Sequence, residues 1–278
     1  MKFFLLIAST ALAAHPRTPA VVEIPFEYAV KNEAIPRNPV VRVKIKGRDR
    51  LFIVDTGATA HVVDAALAKS LGLQGEPAEV GEDHYGKKVR VVDLPDLPVQ
   101  IGPWKGTLAH PSGIARPESL LRQKIVGTIS PQALIESGIV VMDLPAKKLL
   151  IYDSAPVPAR KWLTARYPGY EFVELDRQGR EMLVKASLPG RGKVPVLLDT
   201  GSGSTEFSDA YAGLDPGVYR STESVSVGGH ELRVASIEVR SFKEQGYMAG
   251  ILGLDALQGV ILAFRTESSK VLLGFPRR

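Results

Sequence analysis

Two acidic residues stand in the same local setting in the two halves of this chain. The triplet Asp-Thr-Gly occurs at residues 55–57 after the apolar run 51–54, and again at residues 199–201 after the apolar run 196–198. A short apolar run closed by a turn-forming triplet is typical of a buried strand that enters a tight loop. An unpaired carboxylate is costly to bury, so function is the usual reason for placing an acid there.

The segments around the two triplets also repeat in the same order. A strand-like arm precedes each triplet and a short capped helix follows it, and each half later reaches an apolar-apolar-Gly segment, at residues 125–127 and 251–253. From Asp55 to Gly127 is 127 − 55 = 72 positions, and from Asp199 to Gly253 is 253 − 199 = 54, so the second half has shorter loops. The pattern predicts an internal duplication.

A duplicated chain predicts a specific chemistry for the two acids. Similar lobes tend to pack about a two-fold axis, and features near that axis meet their own copies, so Asp55 and Asp199 are expected to be neighbours. Two carboxyl groups in hydrogen-bond reach share one proton. The ionised member can take a proton from water while the protonated member donates to a carbonyl oxygen. Collapse of the resulting diol breaks an amide, and no metal or cofactor is required.

The composition is that of a globular protein rich in strands. Of 278 residues, 45% are hydrophobic and 23% charged, and short apolar runs are interrupted by 26 Gly and 20 Pro. The net charge of +5 is spread along the chain without a dense basic run, which argues against a nucleic-acid partner. With no cysteine, disulfides, thiol catalysis and thiolate metal sites are excluded. The five histidines show no metal-ligand spacing, so we expect no metal site and solvated or singly bonded rings.

The N-terminus has the pattern of an export signal. A lysine at position 2 precedes an apolar segment and a small-x-small cleavage pattern at 11–13, and the segment is too short to span a bilayer, which takes about 20 residues. We therefore predict a signal peptide over 1–13, an exported, periplasmic or secreted protein, and no membrane span in the mature chain. Further boundaries are predicted as an N-terminal lobe over 20–153, a Pro-rich linker over 154–169 and a C-terminal lobe over 170–278.

Two hairpins are predicted at matching places in the halves. Residues 80–91 have polar, Gly-bounded residues between two strand-like arms, with His84, Tyr85 and Gly86 near the tip. Residues 224–234 have alternating arms around Gly228 and Gly229, a good two-residue hairpin turn. An ordinary surface hairpin is the alternative for the first of them.

These motifs together resemble the aspartic proteases, and most closely the retropepsin-type proteases of bacteria duplicated into one polypeptide. The resemblance covers residues 21–278. It implies a mainly β fold of two similar closed-barrel lobes related by a pseudo-two-fold axis, with a few short helices. It implies a peptide or protein substrate, the catalytic pair Asp55 and Asp199, and the two hairpins as flaps. The residues implied to support the pair are Thr56, Gly57, Ala58, Thr200, Gly201 and Ser202.

One departure separates the two halves. Family members of the two-lobed secreted type usually carry Ser or Thr after each triplet, whereas this chain has Ala58 in one half and Ser202 in the other. A hydroxyl that donates to a carboxylate stabilises its ionised form. We therefore expect Asp199 to be the more readily ionised member of the pair.

Two alternatives stay open at this stage. The chain could be a catalytically idle scaffold of the same fold that binds peptides in its cleft. The pair could also form between two chains, whereas the duplication predicts a monomer in which the two lobes pair with each other.

Overall fold

The fold is mainly β, as predicted from the sequence. The computed structural model describes residues 21–30, 35, 37–78, 80–82, 88–153, 158–178, 181–220, 224–234, 236–241, 248–265 and 267–277. The predicted signal peptide and the hairpin tip with His84, Tyr85 and Gly86 lie outside these ranges. Within them, no helix is long and apolar enough to cross a membrane.

The elements are numbered in chain order. In the first half they are β1 (Val21–Pro25), β2 (Glu27–Val30), β3 (Arg37–Ile45), β4 (Arg48–Val54), β5 (Val62–Asp64), α1 (Ala65–Ser70), β6 (Glu76–Pro77), β7 (Gly81–Glu82), β8 (Lys88–Val89), β9 (Val91–Asp93), β10 (Leu97–Ile101), β11 (Trp104–Leu108), β12 (Ser112–Ile114), α2 (Glu118–Arg122), β13 (Ile125–Ile129), the 3-10 turn Pro131–Ala133, β14 (Ile139–Asp143) and β15 (Lys148–Tyr152). Those that follow are α3 (Ala159–Arg166), β16 (Tyr170–Asp176), β17 (Leu183–Ser187), β18 (Val194–Leu198), β19 (Thr205–Ser208), α4 (Asp209–Ala212), β20 (Gly217–Arg220), β21 (Ser224–Val227), β22 (His230–Arg233), β23 (Ser236–Arg240), β24 (Gly250–Leu252), α5 (Leu254–Leu257), β25 (Ile261–Arg265) and β26 (Lys270–Pro276).

Each half builds one large sheet, and the strand orders correspond. The first half gives β11-β10-β3-β4-β13-β5-β12-β9-β6, and the second gives β22-β21-β17-β18-β24-β19-β23-β20. Taken strand by strand, β4 corresponds to β18 and β13 to β24. Strand β4 runs parallel to β13, and β18 runs parallel to β24. The strand that leads into each acid-bearing loop therefore has a parallel neighbour. Burial alternates along the end of β3, as expected for a strand with one face toward the core. A turn at Gly47, with a φ of 78°, joins β3 to its antiparallel partner β4.

A third sheet contains strands from both halves. Its order is β1-β15-β14-β25-β26-β16, so three strands come from each half and the halves meet where β14 pairs with β25. All five residues of β14 are buried, as expected for strands covered on both faces. The two halves are therefore joined by a hydrogen-bonded sheet as well as by side-chain packing. The closed shape of each lobe remains a prediction.

The predicted linker contains a packed helix. Helix α3 begins at Ala159, and its residues Ala159 and Leu163, four positions apart on one face, are buried against the shared sheet. The ring of Trp162 meets that of Tyr152 edge-on at 4.5 Å. The sequence did not predict this helix, because the segment is rich in proline and basic residues and only two apolar residues of the helix are buried.

Candidate active site

Both acid-bearing loops begin in the same way. Asp55 directly follows β4 and donates its backbone N–H to the carbonyl of Ile129 at the end of β13, with an N···O distance of 2.9 Å. Asp199 directly follows β18 and donates its N–H to the carbonyl of Leu252 at the end of β24, at 3.0 Å. The backbone of each aspartate is thus fixed by the strand that runs parallel to the strand before it, which holds the acid at the end of a buried apolar run.

The structure brings the two carboxyl groups together. The side chain of Asp199 lies within hydrogen-bond reach of the Asp55 side chain. The glycine of each triplet faces the opposite aspartate: a Cβ atom on Gly57 would lie 2.7 Å from Cγ of Asp199, and one on Gly201 would lie 2.6 Å from Oδ2 of Asp55. Any larger residue at these two positions would displace a carboxyl group.

Backbone amides orient each carboxyl group. Gly57 donates its N–H to Oδ1 of Asp55 at 2.8 Å, and Gly201 donates to Oδ1 of Asp199 at 2.7 Å. Ser202 adds a second backbone donor to the same oxygen of Asp199, at 3.1 Å. One oxygen of each carboxyl group is therefore fixed by the loop that carries it.

Two buried threonines hold the loops against each other. Thr56 donates its backbone N–H to Oγ1 of Thr200, and Thr200 donates its N–H to Oγ1 of Thr56, both at 3.1 Å. The hydroxyl of Thr56 donates to the carbonyl of Leu198 at 2.6 Å, and that of Thr200 donates to the carbonyl of Val54 at 2.9 Å. Four hydrogen bonds therefore cross between the halves at residues that are fully buried.

The hydroxyl that led us to expect Asp199 to be the more readily ionised acid does not bond to that acid. Burial first, and then the neighbouring Asp55, raise the pKa of Asp199 well above its ordinary value of 3.8. The hydroxyl of Ser202 donates to the carbonyl of Ser204 at 2.9 Å and not to Asp199. The structure therefore removes the reason for that expectation, and the two acids are placed to share one proton.

This arrangement predicts how stability depends on pH. The pKa of Asp199 is higher in the folded protein than in the unfolded chain, where it is about 3.9. The protonated carboxyl therefore contributes its full stability below that unfolded value. This stability is lost as pH rises through the folded-state pKa. We expect Asp199→Asn, which stays neutral at every pH, to remove this loss and to be more stable than the wild type at pH 7. Denaturant unfolding of the wild type and of Asp199→Asn from pH 4 to 7 measures this difference in the free energy of unfolding. Curves of stability against pH that stay parallel for the two proteins would contradict the prediction.

Arg116 is a site residue that the sequence did not reveal. It follows β12, its backbone N–H donates to Oδ2 of Asp64 at 3.3 Å, and its Nε is buried without a hydrogen-bond partner. Burial lowers its pKa, while the charges of Asp55 and Asp64 oppose that effect. A guanidinium this close to the pair favours a state in which one of the two acids is ionised. Only the fold brings it near Asp55, since it lies 116 − 55 = 61 positions away.

Replacing this arginine tests its electrostatic effect. We expect Arg116→Gln to move the acidic limb of a pH–rate profile to higher pH by roughly half a unit to one unit, because the pair loses a nearby positive charge. Arg122→Gln, a change at an exposed residue of α2, is the matched control and leaves the limb in place. An unmoved acidic limb in Arg116→Gln would show that the charge does not act on the pair.

The hairpin at 224–234 does not lie where we expected. Its strands β21 and β22 correspond to β10 and β11, not to the hairpin of β7 and β8. A Cβ atom on Gly228 would contact Val173 and Leu175 of the shared sheet, and the ring of His230 stacks on Phe275 at 4.2 Å. The turn at Gly228 and Gly229 therefore packs on the shared sheet, and its prediction as a flap is corrected.

Only the first half has room for a projecting hairpin at this place. Residues 71–90 separate α1 from β9, whereas residues 213–216 alone separate α4 from the corresponding β20. In the first half, Gly81 pairs with Val89 and Glu82 with Lys88, and the predicted tip residues lie between these pairs, outside the described residues.

The apolar-apolar-Gly equivalence is also corrected. Gly127 pairs with Phe52, two residues before the end of β4, and Gly250 pairs with Val196, two residues before the end of β18. Gly250 is therefore the counterpart of Gly127, and Gly253 corresponds to Ser130. A Cβ atom on Gly253 would lie 2.3 Å from the carbonyl oxygen of Ser204, so this glycine does allow the close approach of another loop.

Comparison with known proteins finds a family match around the first Asp-Thr-Gly motif. Residues 41–106 match the family model described as aspartyl protease, a range that includes Asp55 and its loop. No curated protein matches the chain. A peptidase hydrolase is therefore supported at the level of the family, from the first half of the chain.

Proposed function

We propose that this chain is an aspartic endopeptidase that hydrolyses peptide bonds with a water molecule activated between Asp55 and Asp199. The observation that carries the proposal is the close approach of the two carboxyl groups, each at the end of a buried strand and each against the glycine of the other triplet. The family match over residues 41–106 supports the same class of reaction. Two such acids share one proton, which makes one a base and the other an acid.

The pair can complete a cycle without gaining or losing protons. Ionised Asp55 takes a proton from water as the water oxygen attacks the scissile carbonyl carbon, and Asp199 gives its proton to the carbonyl oxygen. In the tetrahedral diol, Asp55 then donates its proton to the amide nitrogen while Asp199 takes one back from a diol hydroxyl. The C–N bond breaks, an acid and an amine leave, and the pair again holds one proton.

The wider arrangement is part of the same proposal. The two halves of one chain act as a single-chain pseudo-dimer, so a monomer carries a complete site. The hairpin of β7 and β8, with His84, Tyr85 and Gly86, covers a bound peptide, and the protein acts after export, in the periplasm or outside the cell. The shared sheet supports the pseudo-dimer, and the length of the 71–90 segment supports the covering hairpin. The proposal of export rests on the N-terminal sequence pattern alone.

The test is hydrolysis of a defined peptide mixture by the purified protein in water enriched with ¹⁸O. We expect new C-termini that carry ¹⁸O, read by mass spectrometry, because each is made by addition of a solvent water to the scissile carbonyl. Peptides that bind but stay intact would overturn the proposal in favour of a catalytically idle scaffold. An Asp55→Asn/Asp199→Asn chain in parallel excludes a contaminating peptidase.

A further inference from the structure

A side-chain amide holds the first Asp-Thr-Gly loop from behind. The Nε2 of Gln132 donates to the carbonyl of Thr56 at 3.0 Å and to the carbonyl of Ala58 at 2.7 Å. Both amide hydrogens are thus used on the carbonyls that flank Gly57, and the Gln132 residue is only 8% exposed. The backbone of the loop is tied to this one side chain.

The turn that carries Gln132 is in turn held by an imidazole ring. Ser130 donates its backbone N–H to Nδ1 of His61 at 3.2 Å, and Nε2 of His61 lies 3.1 Å from the carbonyl of Ala133. Because Ser130 supplies a hydrogen, Nδ1 must accept, so the ring is neutral and its hydrogen is on Nε2. His61 is 1% exposed, and the expectation of a solvated or singly bonded ring is wrong for it.

The second half solves the same problem without a ring. Thr205 stands six residues after its aspartate (205 − 199 = 6), as His61 does (61 − 55 = 6). Its hydroxyl oxygen accepts from the backbone N–H of Gly253 at 3.4 Å and donates to Oδ1 of Asp255 at 2.7 Å. A hydroxyl keeps its hydrogen-bonding roles across the acidic pH range, whereas an imidazole does not.

Protonation of the ring would break the first arrangement. A hydrogen on Nδ1 would point at the N–H of Ser130, and two donors would then face each other in a buried site. A cavity of about 390 Å³ lies against His61 and Gln132. One acid, Glu136, and two basic residues, His110 and Arg177, also line it. Burial lowers the pKa of His61 to about 4, which places the break in the acidic range.

We propose that His61 and Gln132 are positioning residues for Asp55 and that they hold its loop only while the imidazole is neutral. This inference rests on the proposed function for its catalytic consequence, but the hydrogen bonds themselves can be tested without activity. The loop of Asp199 is held by the backbone N–H of Leu254, which donates to the carbonyl of Ser202 at 2.9 Å, and Thr205 stands where the first half has its imidazole.

The first experiment is ¹⁵N NMR of the wild-type protein over acidic pH. We expect an Nε2–H tautomer at pH 6 and titration of the His61 ring near pH 4, together with a shift of the Ser130 amide at the same midpoint. Titration near the ordinary value of 6.5, or an unchanged Ser130 amide, would overturn the proposal. If no peptide is cleaved, the proposed function fails and this result still decides the positioning role.

The second experiment separates positioning from folding through the pH profile. In the wild type at pH 3, we expect protonation of His61 to lower kcat about tenfold beyond the loss caused by the acid pair itself. The pH is then one unit below the pKa of His61, which is about 4. His61→Thr, which copies Thr205 and keeps the Gln132 amide, removes that extra loss. Gln132→Leu lowers kcat about tenfold to a hundredfold at pH 6 with little change in KM. His110→Asn, at an exposed residue of the same cavity, leaves kcat and its pH profile unchanged. An extra acid loss that persists in His61→Thr would overturn the proposal.

Discussion

Replacing Asp55 or Asp199 by asparagine is expected to lower kcat for peptide hydrolysis by at least about 10³-fold, with KM changing much less. Asparagine keeps the size of the side chain and an oxygen that can accept the glycine N–H, so the loops stay in place. It can neither take a proton from water nor pass one to the carbonyl oxygen. Steady-state kinetics on a single peptide, beside unfolding curves for each variant, measure both parts of the prediction.

Matched controls are available in both halves. Asp49, the second residue of β4, and Asp215, before β20, are exposed acids outside the site. Asp49→Asn and Asp215→Asn are expected to cleave at the wild-type rate. Full activity in either Asp55→Asn or Asp199→Asn would refute a mechanism that needs both acids.

The second large effect is expected at the threonines that join the loops. Thr56→Val removes a hydroxyl that accepts from the N–H of Thr200 and donates to the carbonyl of Leu198, and valine fills the same volume. An unpaired buried polar group costs about 1–3 kcal/mol, so two of them should lower the free energy of unfolding by roughly 2–6 kcal/mol. Thr200→Val should cost a similar amount, because its hydroxyl makes the mirror-related bonds. Denaturant unfolding measures both.

Serine provides the control for this pair. Thr56→Ser keeps the hydroxyl and loses one methyl group, which is worth about 0.8 kcal/mol when buried. A serine variant as unstable as the valine variant would mean that packing, and not the crossed hydrogen bonds, holds the loops together.

The position of each acid could be predicted because it depends on chain neighbours. An apolar run followed by Asp-Thr-Gly specifies a buried strand and a tight loop whatever the rest of the fold does. The structure has β4 ending at Val54 and β18 ending at Leu198, one residue before each acid. That the two acids meet was inferred from the repeat, not from either motif alone.

Equivalent positions elsewhere could not be predicted because pairing register fixes them. Two apolar residues before a glycine look alike at 125–127 and 251–253, but the ladders place Gly127 opposite Phe52 and Gly250 opposite Val196. Likewise, Gly228 and Gly229 announce a hairpin turn without saying which surface it covers, and here it is the shared sheet. Local sequence determines the turn, and tertiary packing determines its place.

The distribution of the shared proton also needed the fold. Comparing Ala58 with Ser202 assumes that a hydroxyl reaches the neighbouring acid, yet the Ser202 hydroxyl bonds to Ser204 and burial dominates at Asp199. Gln132 and His61 escaped notice for a related reason. Their hydrogen bonds join positions more than sixty residues apart, and no spacing rule relates them.

The central claim, that the two acids of one chain form one catalytic site, is tested most directly by mixing variants. Peptide hydrolysis is measured for the wild type over a wide dilution range and for an equimolar mixture of Asp55→Asn and Asp199→Asn chains. We predict a wild-type rate per chain that is independent of concentration and a mixture that stays inactive, because every chain lacks half of its own site. Activity restored in the mixture would mean that the pair forms between chains and would contradict the account.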